Sequence, residues 1–364
     1  MAAQPRLWRA DLSLPPLSEL ARVAETLATG AQHGLSGLLA TVVRTEGSTY
    51  RRLGARLVIL ADGTRSGAVS AGCLERDIIL RADGISAGGI AEVVRYDTRS
   101  PDDLVWGFGI GCGGLVEVLL EPLTQEYVAS KAGQLARIAD TRRPVVLATV
   151  IRASDTTSVR AGAHGVMSDV RATLAGLEGP FHAHIQRVAR EVLRRGRSAA
   201  ECHVWGGQTI DISYQVVMPR IRLAVCGGSD AVPIVSTAKS LDWHVTLIDD
   251  RRAVAASDVD AAVIMSHNFE RDVELLASWL QSGARYIGIM GPRHRTEALV
   301  AAVRARGIPV DQRARERIHS PVGLDIGAET PEEIAVAIVA EVHAVHTGRS
   351  ARFLRSLPHL QGTG

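Results

Sequence analysis

The chain has 364 residues, 46% of them hydrophobic, a length that predicts roughly two to three domains with well-formed cores. Its 41 basic and 39 acidic residues leave a formal net charge of +2, which gives no indication of nucleic acid or an anionic membrane as a partner. No apolar run approaches the roughly 18 residues of a transmembrane helix, and residues 1–16 lack the apolar core of a signal peptide. We therefore expect a cytoplasmic protein.

The four cysteines, Cys73, Cys112, Cys202 and Cys226, are widely spaced. Because they form no CxxC pair, the spacing argues against a zinc ribbon and against a thioredoxin-like motif. In a reducing cytosol we expect free thiols rather than disulfides. The sequence shows no repeat of fixed period, so a solenoid or another repeat architecture is not predicted.

The N-terminal part of the chain reads as an α+β pattern rich in strands. Helical spacing of apolar residues covers residues 17–28 and 74–81. Short apolar runs predict strands at residues 38–43, 56–60, 93–96 and 115–120. We assign residues 1–124 to an N-terminal α+β domain.

Residues 125–219 are harder to interpret. Their predicted elements are strands at 145–151 and 212–217, a helix at 184–193, and an irregular extension at 153–179. The region is either an extension of the N-terminal domain or a linker.

From Ile221 onward, strands and helices alternate. Strands are predicted at residues 221–225, 244–248, 261–265 and 286–290. Such alternation favours right-handed crossovers and a mainly parallel sheet. We therefore predict an α/β fold class, with a Rossmann-like domain at residues 220–348 and a flexible tail at 349–364. A capping box of Thr330 and Glu333, with Pro331 between them, marks the start of the last helix.

The first candidate site is the segment 70–75, in which Cys73 follows Gly72 at the start of a predicted helix and Glu75 lies in its first turn. Backbone N–H groups and the helix dipole favour a thiolate there. A thiolate is the ligand that a soft metal centre or a sulfur transfer requires. The alternative is a small buried residue, since free cysteine is commonly buried.

The second candidate is the segment 107–114, where five glycines surround Cys112 just before a strand. Successive N–H groups of Gly111, Gly113 and Gly114 can form a nest for phosphate or another anion, with a soft thiol beside it. The alternative is a tight turn that needs positive φ angles.

The third candidate is the arginine-rich loop after the first strand. Arg51 and Arg52 follow a Gly-Ser-Thr turn, with Arg44 and Arg56 close in the sequence. Guanidinium groups beside such a turn suit phosphate or pterin oxygens. The alternative is a solvated surface loop.

The fourth candidate is the carboxyl edge of the Rossmann-like sheet. A glycine-containing turn joins the first strand to a helix, and an aspartate follows about 20 residues later, as in dinucleotide-binding sites. The residues that this arrangement places at the edge are Gly228, Ser229, Asp230, Asp249, His267 and Asn268. The alternatives are a Rossmann fold that has lost its dinucleotide, a helix cap for Asn268 and a carbonyl contact for His267. Asp230 would repel a phosphate unless a nearby arginine compensates.

Several strings, taken together and in order, resemble the XdhC/CoxI family. They are residues 40–52, 54–56, 72–75, 111–114, 118–122, 266–272, 286–288 and 318–333. The matches bracket residues 40–122 and 221–348, and the last string is long and specific.

The resemblance implies a cytoplasmic, dimeric chaperone rather than an enzyme. Such proteins bind the molybdenum cofactor (molybdopterin), protect it during sulfuration by a cysteine desulfurase, and pass it to an apo-molybdoenzyme of the xanthine dehydrogenase or CO dehydrogenase type. The family's cofactor-binding cysteines correspond to Cys73 and Cys112, which are the candidate molybdenum contacts. The alternative function is an NAD(P)- or nucleotide-dependent oxidoreductase or transferase that acts through the Rossmann-like domain.

One departure from the family concerns that alternative. The family usually reads Gly-Ala-Gly-His-Asp at the Rossmann turn, whereas this chain has Cys226 at the first glycine and Ser229 at the histidine. We expect the Cβ of Cys226 to crowd a pyrophosphate, which counts against NAD(P).

Overall fold

In the computed structural model, the structure describes residues 19–97, 99, 114–155, 159–168, 172–174, 180–248 and 259–356. By their contacts these residues form two compact units, one of residues 19–219 and one of residues 220–356. We call them the N-terminal unit and the C-terminal unit, and each has its own apolar clusters.

The first half of the N-terminal unit is an antiparallel sheet with two helices. Its elements are α1 (Glu19–Gln32), β1 (Gly37–Gly47), β2 (Arg56–Leu60), β3 (Arg65–Gly67), α2 (Cys73–Gly88), β4 (Glu92–Asp97) and β5 (Gly114–Leu123). The strands pair in the order β3-β2-β1-β5-β4, and we call this the first sheet. Apolar residues at helical spacing on α2, from Leu74 to Ile85, pack on one face of it.

The second half of the unit has the same make-up. Its elements are α3 (Gln125–Ala139), β6 (Val145–Ala153), β7 (His164–Met167), β8 (Ala172–Leu174), α4 (Pro180–Arg195), β9 (Ala199–Trp205) and β10 (Gln208–Val217). The strands form a second antiparallel sheet in the order β8-β7-β6-β10-β9. The expectation of an irregular extension at residues 153–179 is wrong, because β7 and β8 lie within it. These strands are too short for their apolar residues to show a clear alternation.

The two halves share one topology, a duplication that the sequence, which shows no repeat of fixed period, does not predict. Each half runs helix, three strands, helix, two strands, and the two strand orders coincide when corresponding strands are matched. We call residues 19–123 the first copy and residues 125–217 the second copy. Such agreement in order and pairing indicates an internal duplication.

The sequence carries the same duplication around β1 and β6. The string Leu39-Ala40-Thr41-Val42 recurs as Leu147-Ala148-Thr149-Val150. In the same way Arg44 corresponds to Arg152, Arg52 to Arg160, and Gly54-Ala55 to Gly162-Ala163. The backbone agrees: Val42 N–H donates to Ala55 O at 2.9 Å, and Val150 N–H donates to Ala163 O at 2.8 Å. Each long strand also has a one-residue bulge before its arginine.

The repeat is hard to see in the sequence because its spacing changes along the chain. In the second copy β9 and β10 are joined by Gly206-Gly207, both at positive φ, as a two-residue hairpin requires. In the first copy the equivalent connection between Asp97 and Gly114 is much longer and contains the glycine-cysteine segment.

Contacts between the copies are reciprocal, as in an isologous dimer. Arg44 and Glu117 are partners on β1 and β5, and Arg152 and Asp211 are partners on β6 and β10. Each carboxylate also meets the other copy's arginine: Arg152 Nη2 lies 2.8 Å from Glu117 Oε1, and Arg44 Nη2 lies 3.8 Å from Asp211 Oδ2. The four charges form one cluster between the sheets, and its carboxylates are buried.

The C-terminal unit is a parallel five-stranded sheet covered by helices. Its strands are β11 (Arg222–Gly227), β12 (His244–Ile248), β13 (Ala261–Met265), β14 (Tyr286–Ile289) and β15 (Ile318–His319), and its helices are α5 (Val232–Ser240), α6 (Phe269–Leu280), α7 (Arg293–Ala305), α8 (Gln312–Glu316) and α9 (Pro331–Thr347). The order β12-β11-β13-β14-β15 confirms the predicted Rossmann-like fold. The order reverses between β11 and β13, which is where ligands bind in open α/β sheets.

The predicted start of the last helix is confirmed. Thr330 Oγ1 accepts from Glu333 N at 3.3 Å, and Glu333 Oε2 accepts from Thr330 N at 2.9 Å. Two helix-terminal N–H groups are thereby satisfied.

Candidate functional site

One edge of the first sheet collects the loops that carry most of the candidate residues. β1 ends there at Gly47 and β5 begins opposite it at Gly114. β2 begins and β3 ends at the same edge, because β2 is antiparallel to both of its neighbours. β4 also ends there, with Asp97 paired to Leu115. The topology therefore brings together the arginine loop, the loop before Cys73, and the end of the glycine-cysteine segment.

Cys73 is the first residue of α2 and is half-buried. Gly72 precedes it with φ 116°, a left-handed conformation that favours glycine. Ser70 Oγ accepts from Gly72 N at 3.0 Å and from Leu74 N at 3.1 Å, so it caps the helix. The same oxygen lies 3.4 Å from Cys73 Sγ and accepts a hydrogen bond from the thiol. Ser70 belongs to the candidate segment 70–75, but no role of its own is predicted for it from the sequence, although a serine just before a helix start is a common cap.

Glu75 organises the loop before Cys73. Its carboxylate accepts from Val69 N at 2.9 Å, Ser70 N at 2.7 Å and Gly72 N at 3.0 Å, and from the Ser70 hydroxyl. Burial alone would raise the pKa of Glu75, but the hydrogen bonds from Ser70 and its neighbours lower it below the ordinary value. Both oxygens are in use, so this side chain fixes the loop that positions Cys73.

The arginine loop lines a cleft of about 450 Å³ between residues 50–56, α1 and β10. Arg51 pairs with Glu19 on α1, and its Nε is buried without a partner among the residues that the structure describes. Arg52 is exposed at the same cleft. The two arginines predicted from the sequence therefore share one concave surface.

Arg56 is a third cation of this cleft, and it is 4% exposed. Its Nη1 donates to Gly54 O at 2.7 Å and its Nη2 to Gln215 Oε1 at 2.8 Å. Burial lowers the pKa of the Arg56 guanidinium to about 10, and the negative charges of Glu121 and Glu19 offset this only in part. The group stays charged at neutral pH. The sequence places Arg56 near the loop, but its burial and its Gln215 partner depend on the fold.

Gly111, Cys112 and Gly113 lie outside the described residues. Gly114 is the first residue of β5, and a Cβ there would collide with the carbonyl oxygen of Ser48. The glycine therefore allows the end of the glycine-cysteine segment to lie directly against the loop that leads to Arg51 and Arg52. A shared pocket for Cys73 and Cys112 stays a prediction.

At the edge of the Rossmann-like sheet, the side chains of Asp230 and His267 form a contact between the loop that follows β11 and the loop that follows β13, the two strands between which the order reverses. His267 Nε2 lies 2.7 Å from Asp230 Oδ2, and both side chains are exposed. His267 has φ 60°, uncommon for a residue other than glycine. Gly228 and Ser229 are exposed beside this pair, and a 3₁₀ turn at Ser229–Ala231 precedes α5, where the sequence predicts the helix itself. Among the described residues Asp230 thus contacts a histidine, while Arg251 and Arg252, which follow β12 in the sequence, lie outside those residues.

Three other residues of this edge bear on nucleotide binding. Asn268 Oδ1 accepts from Arg271 N at 3.0 Å, which is the helix-cap alternative. Cys226 is 2% exposed within the apolar cluster under α6 and α7, and the crowding of a pyrophosphate by its Cβ stays a prediction. Asp249 lies outside the described residues. In the described chain no group of three or more His, Cys, Asp or Glu side chains is arranged to hold a metal, and no helix is long and apolar enough to cross a bilayer.

Two family profiles match the chain, one for each unit. Residues 31–97 match the XdhC and CoxI family, and residues 223–342 match the XdhC Rossmann domain. The first match covers the arginine loop and Cys73, and the second covers the switch point of the parallel sheet.

Relatives extend over most of the chain. A Bacillus subtilis protein, named as a probable component of xanthine dehydrogenase, is 29% identical over 84% of this chain and 92% of its own length. The Escherichia coli molybdenum cofactor insertion chaperone PaoD is 24% identical over 86% of this chain and 84% of its own length. A crystal structure described as a xanthine dehydrogenase from Bacillus halodurans superposes with a TM-score of 0.64 at 27% identity, covering 92% of this chain and 98% of that one. With both profiles matched in order and these relatives aligned across both units, the chain belongs to the XdhC/CoxI family.

Proposed function

We propose that this protein is a chaperone of the molybdenum cofactor, which it holds at the loop edge of the first sheet. The family and its relatives support an accessory role toward a molybdoenzyme. The relative PaoD, a molybdenum cofactor insertion chaperone, supports the cofactor as the ligand. The protein would protect the cofactor, support its sulfuration and deliver it to an apo-enzyme of the xanthine dehydrogenase or CO dehydrogenase type.

The observation that carries this proposal is the half-exposed Cys73 thiol on the same edge as a cleft rich in arginine. The donor set fits the cofactor: a thiolate suits a soft metal, and guanidinium groups suit phosphate and pterin oxygens. When bound, the cofactor supplies the molybdenum centre that the client enzyme uses. The proposed contacts are Arg51, Arg52, Gly72, Cys73, Gly111, Cys112, Gly113 and Gly114.

The roles of these residues differ. Glu75 and Ser70 hold the loop so that Cys73 stays at the helix start. Ser70 Oγ, 3.4 Å from the sulfur, accepts a hydrogen bond from the thiol and so orients it, and the thiol would release its proton to the solvent on becoming a ligand. The arginines hold the anionic end, and backbone N–H groups of the glycine segment would bind further oxygens.

The same proposal includes partners that the chain itself does not reveal. They are a cysteine desulfurase, which would supply sulfur to the held cofactor, and a second copy of this chain in a homodimer. We propose that the protein works in the cytoplasm and turns over no substrate alone.

An alternative function is nucleotide binding or catalysis at the Rossmann edge, through Gly228, Ser229, Asp230, Asp249, His267 and Asn268. The meeting of Asp230 and His267 at the reversal point favours it, because that is where ligands bind in such sheets. The use of the Asn268 oxygen as a helix cap counts against it. Titration calorimetry with NAD, NADP, ATP and CTP distinguishes the chaperone from the nucleotide-dependent enzyme. Binding at the Rossmann edge together with turnover would favour the enzyme.

The proposal is tested by the pterin content of protein purified from a host that makes the cofactor. After oxidation, the fluorescence of released pterin should be high for the wild type and fall at least about tenfold for Cys73→Ser, because a hydroxyl is a poor ligand for a soft metal. Cys202→Ser is the matched control, since Cys202 is exposed on β9 in the second copy. Absence of pterin from the wild type, or its full retention by Cys73→Ser, would contradict the proposal.

A further inference from the structure

The duplication provides an internal comparison for the arginine cleft. In both copies a loop returns from the long strand to the next strand through a shared Arg-x-Gly-Ala string, and the last strand of the other copy covers its glycine. A Cβ on Gly54 would collide with the Gln215 side chain, and one on Gly162 would lie 3.3 Å from Glu121 Oε1. Gln215 and Glu121 are equivalent, because they pair with Leu147 and Leu39 respectively.

The arginine cleft and the equivalent region of the second copy have diverged in charge. Where the first copy has Arg51, Arg56 and a covering Gln215, the second has Val159, His164 and a covering Glu121. Glu121 is neutralised by Lys131, whose Nζ lies 2.9 Å from Oε1 in a pair with side chains 5% and 7% exposed. Burial lowers the pKa of His164, so it is neutral at neutral pH. The charge of Glu121 in the second copy is therefore balanced by a group of the protein itself.

The charge of the arginine cleft in the first copy is not balanced in this way. Three arginines line it with one carboxylate, Glu19, and that carboxylate pairs with Arg51. Among the described residues, no carboxylate lies within ion-pair distance of the Arg52 or Arg56 guanidinium, and the buried Arg51 Nε donates to nothing. Glu121, the other negative charge near Arg56, is already paired with Lys131. The buried Arg56 guanidinium thus donates only to the neutral oxygens of Gly54 and Gln215, and the nearest carboxylates are paired with other cations, so a bound anion would complete the cleft.

We infer that the cleft formed by Arg51, Arg52, Arg56 and Gln215 binds the phosphate group of a phosphate ester. Guanidinium groups match phosphate geometry through paired N–H donors. A cleft of about 450 Å³ also has room for part of the organic group that bears the phosphate. Gln215 comes from the second copy, so the site exists only because the copies are joined. That the ester is the pterin cofactor rests on the proposed function.

The test is titration calorimetry of the full chain with inorganic phosphate in a chloride buffer of constant ionic strength. Gln215→Glu should abolish binding, because it gives Arg56 the carboxylate that the second copy already carries at the equivalent position. Arg52→Gln should weaken binding about tenfold, and Arg160→Gln, its equivalent in the second copy, should change nothing. Wild-type affinity in Gln215→Glu, or equal losses in both arginine variants, would overturn the site. Circular dichroism confirms that each variant folds.

Pterin retention by the same variants distinguishes this inference from the proposed function. If Gln215→Glu loses both phosphate binding and pterin, the site and its assignment to the cofactor are supported. If it loses phosphate binding but keeps its pterin, the anion site stands and the assignment to the cofactor fails. If the wild type binds phosphate but contains no pterin, the proposed function fails and the site stands.

Discussion

The first and second copies of the N-terminal unit share a scaffold but differ in the charges around the shared Arg-x-Gly-Ala string and in the length of one connection. At the hairpin where the second copy has Gly206-Gly207, the first copy has the long segment with Cys112. The helix that begins at Cys73 in the first copy begins at Pro180 in the second. The shared string lies in the long strand and the turn after it, whereas changed residues lie both in the connection between the last two strands and within strands, as Gln215 and Glu121 do. The comparison indicates that the duplication preserved the packing while the loop edge of the first copy diverged.

The buried ion pair of Lys131 and Glu121 should matter most for stability. Lys131 and Glu121 are both buried, so Lys131→Met leaves a carboxylate without its cation. We expect a loss of about 3–5 kcal/mol in the free energy of unfolding, because an uncompensated buried charge is costly. Urea unfolding followed by circular dichroism measures this loss.

The double variant Lys131→Met with Glu121→Met is the control for that prediction. It removes both charges and should recover most of the loss, since an apolar pair of similar volume needs no compensation. A cost below about 1 kcal/mol for Lys131→Met alone would mean that water or another group already screens Glu121. The charge of Glu121 would then not depend on its ion pair with Lys131.

The Cys73 loop should depend on Glu75 to a smaller extent. Glu75→Gln turns an amide toward backbone donors, so we expect a loss of about 1–3 kcal/mol and faster alkylation of Cys73. The pKa of Glu75 is lowered on folding, so its contribution to stability is complete above the ordinary value of 4.5 and disappears as the pH falls through the lower pKa of the folded state. Urea unfolding of both proteins at neutral and at acid pH checks this, because their difference should shrink in acid. A pH-independent difference would argue against the carboxylate as the cause.

The smallest expected effect concerns equivalent contacts between helix and strand. In the first copy, Asp77 is the fifth residue of α2 and lies 2.7 Å from Tyr96, the fifth residue of β4. In the second copy, the fifth residues of α4 and β9 are His184 and His203, and they lie 3.1 Å apart. In the second copy Arg187 donates to His184, His184 to His203, and His203 to Tyr214 Oη. This direction follows from arginine being a donor alone, and it requires both histidines to be neutral.

The two contacts should therefore respond differently to mild acid. Burial lowers the pKa of His203, helped by the nearby His184, so the stability that neutral His203 provides is complete above its ordinary value of 6.5 and is lost as the pH falls below that. The midpoint temperature of thermal unfolding should decrease from pH 7.5 to pH 5.5 for the wild type. The decrease should be smaller for His203→Phe. Tyr96→Phe is the matched control and should keep the wild-type decrease, since the pKa values of Tyr96 and Asp77 lie outside this range. The same decrease in all three proteins would remove the contrast between the copies.

The sequence predicts the C-terminal unit better than the N-terminal one, for a physical reason. Buried parallel strands are continuous apolar runs such as β13, Ala261–Met265, and they are visible without knowledge of their neighbours. The capping box at Thr330 is equally local. In the N-terminal unit the short β7 and β8 give weak patterns, and the changed hairpin length conceals the repeat.

The candidate site shows the same division between local and distant signals. Cys73, Arg51 and Arg52 stand out in the sequence because each lies in a short string of unusual composition. No local sequence signal marks Gln215, since it is one polar residue in a strand. It reaches Arg56 only through the pairing of the two copies. The surplus charge of the cleft likewise depends on which carboxylates the fold has already paired.

The charge cluster between the sheets also determines whether the N-terminal unit can be divided. Glu117 is buried, and its arginine partners come one from each copy, as do those of Asp211. A chain cut at Thr124, between β5 and α3, would leave each fragment with a carboxylate that has lost one of its two cations. Like the protomers of an obligate dimer, neither fragment would have an independent native state, and the two would have to fold together.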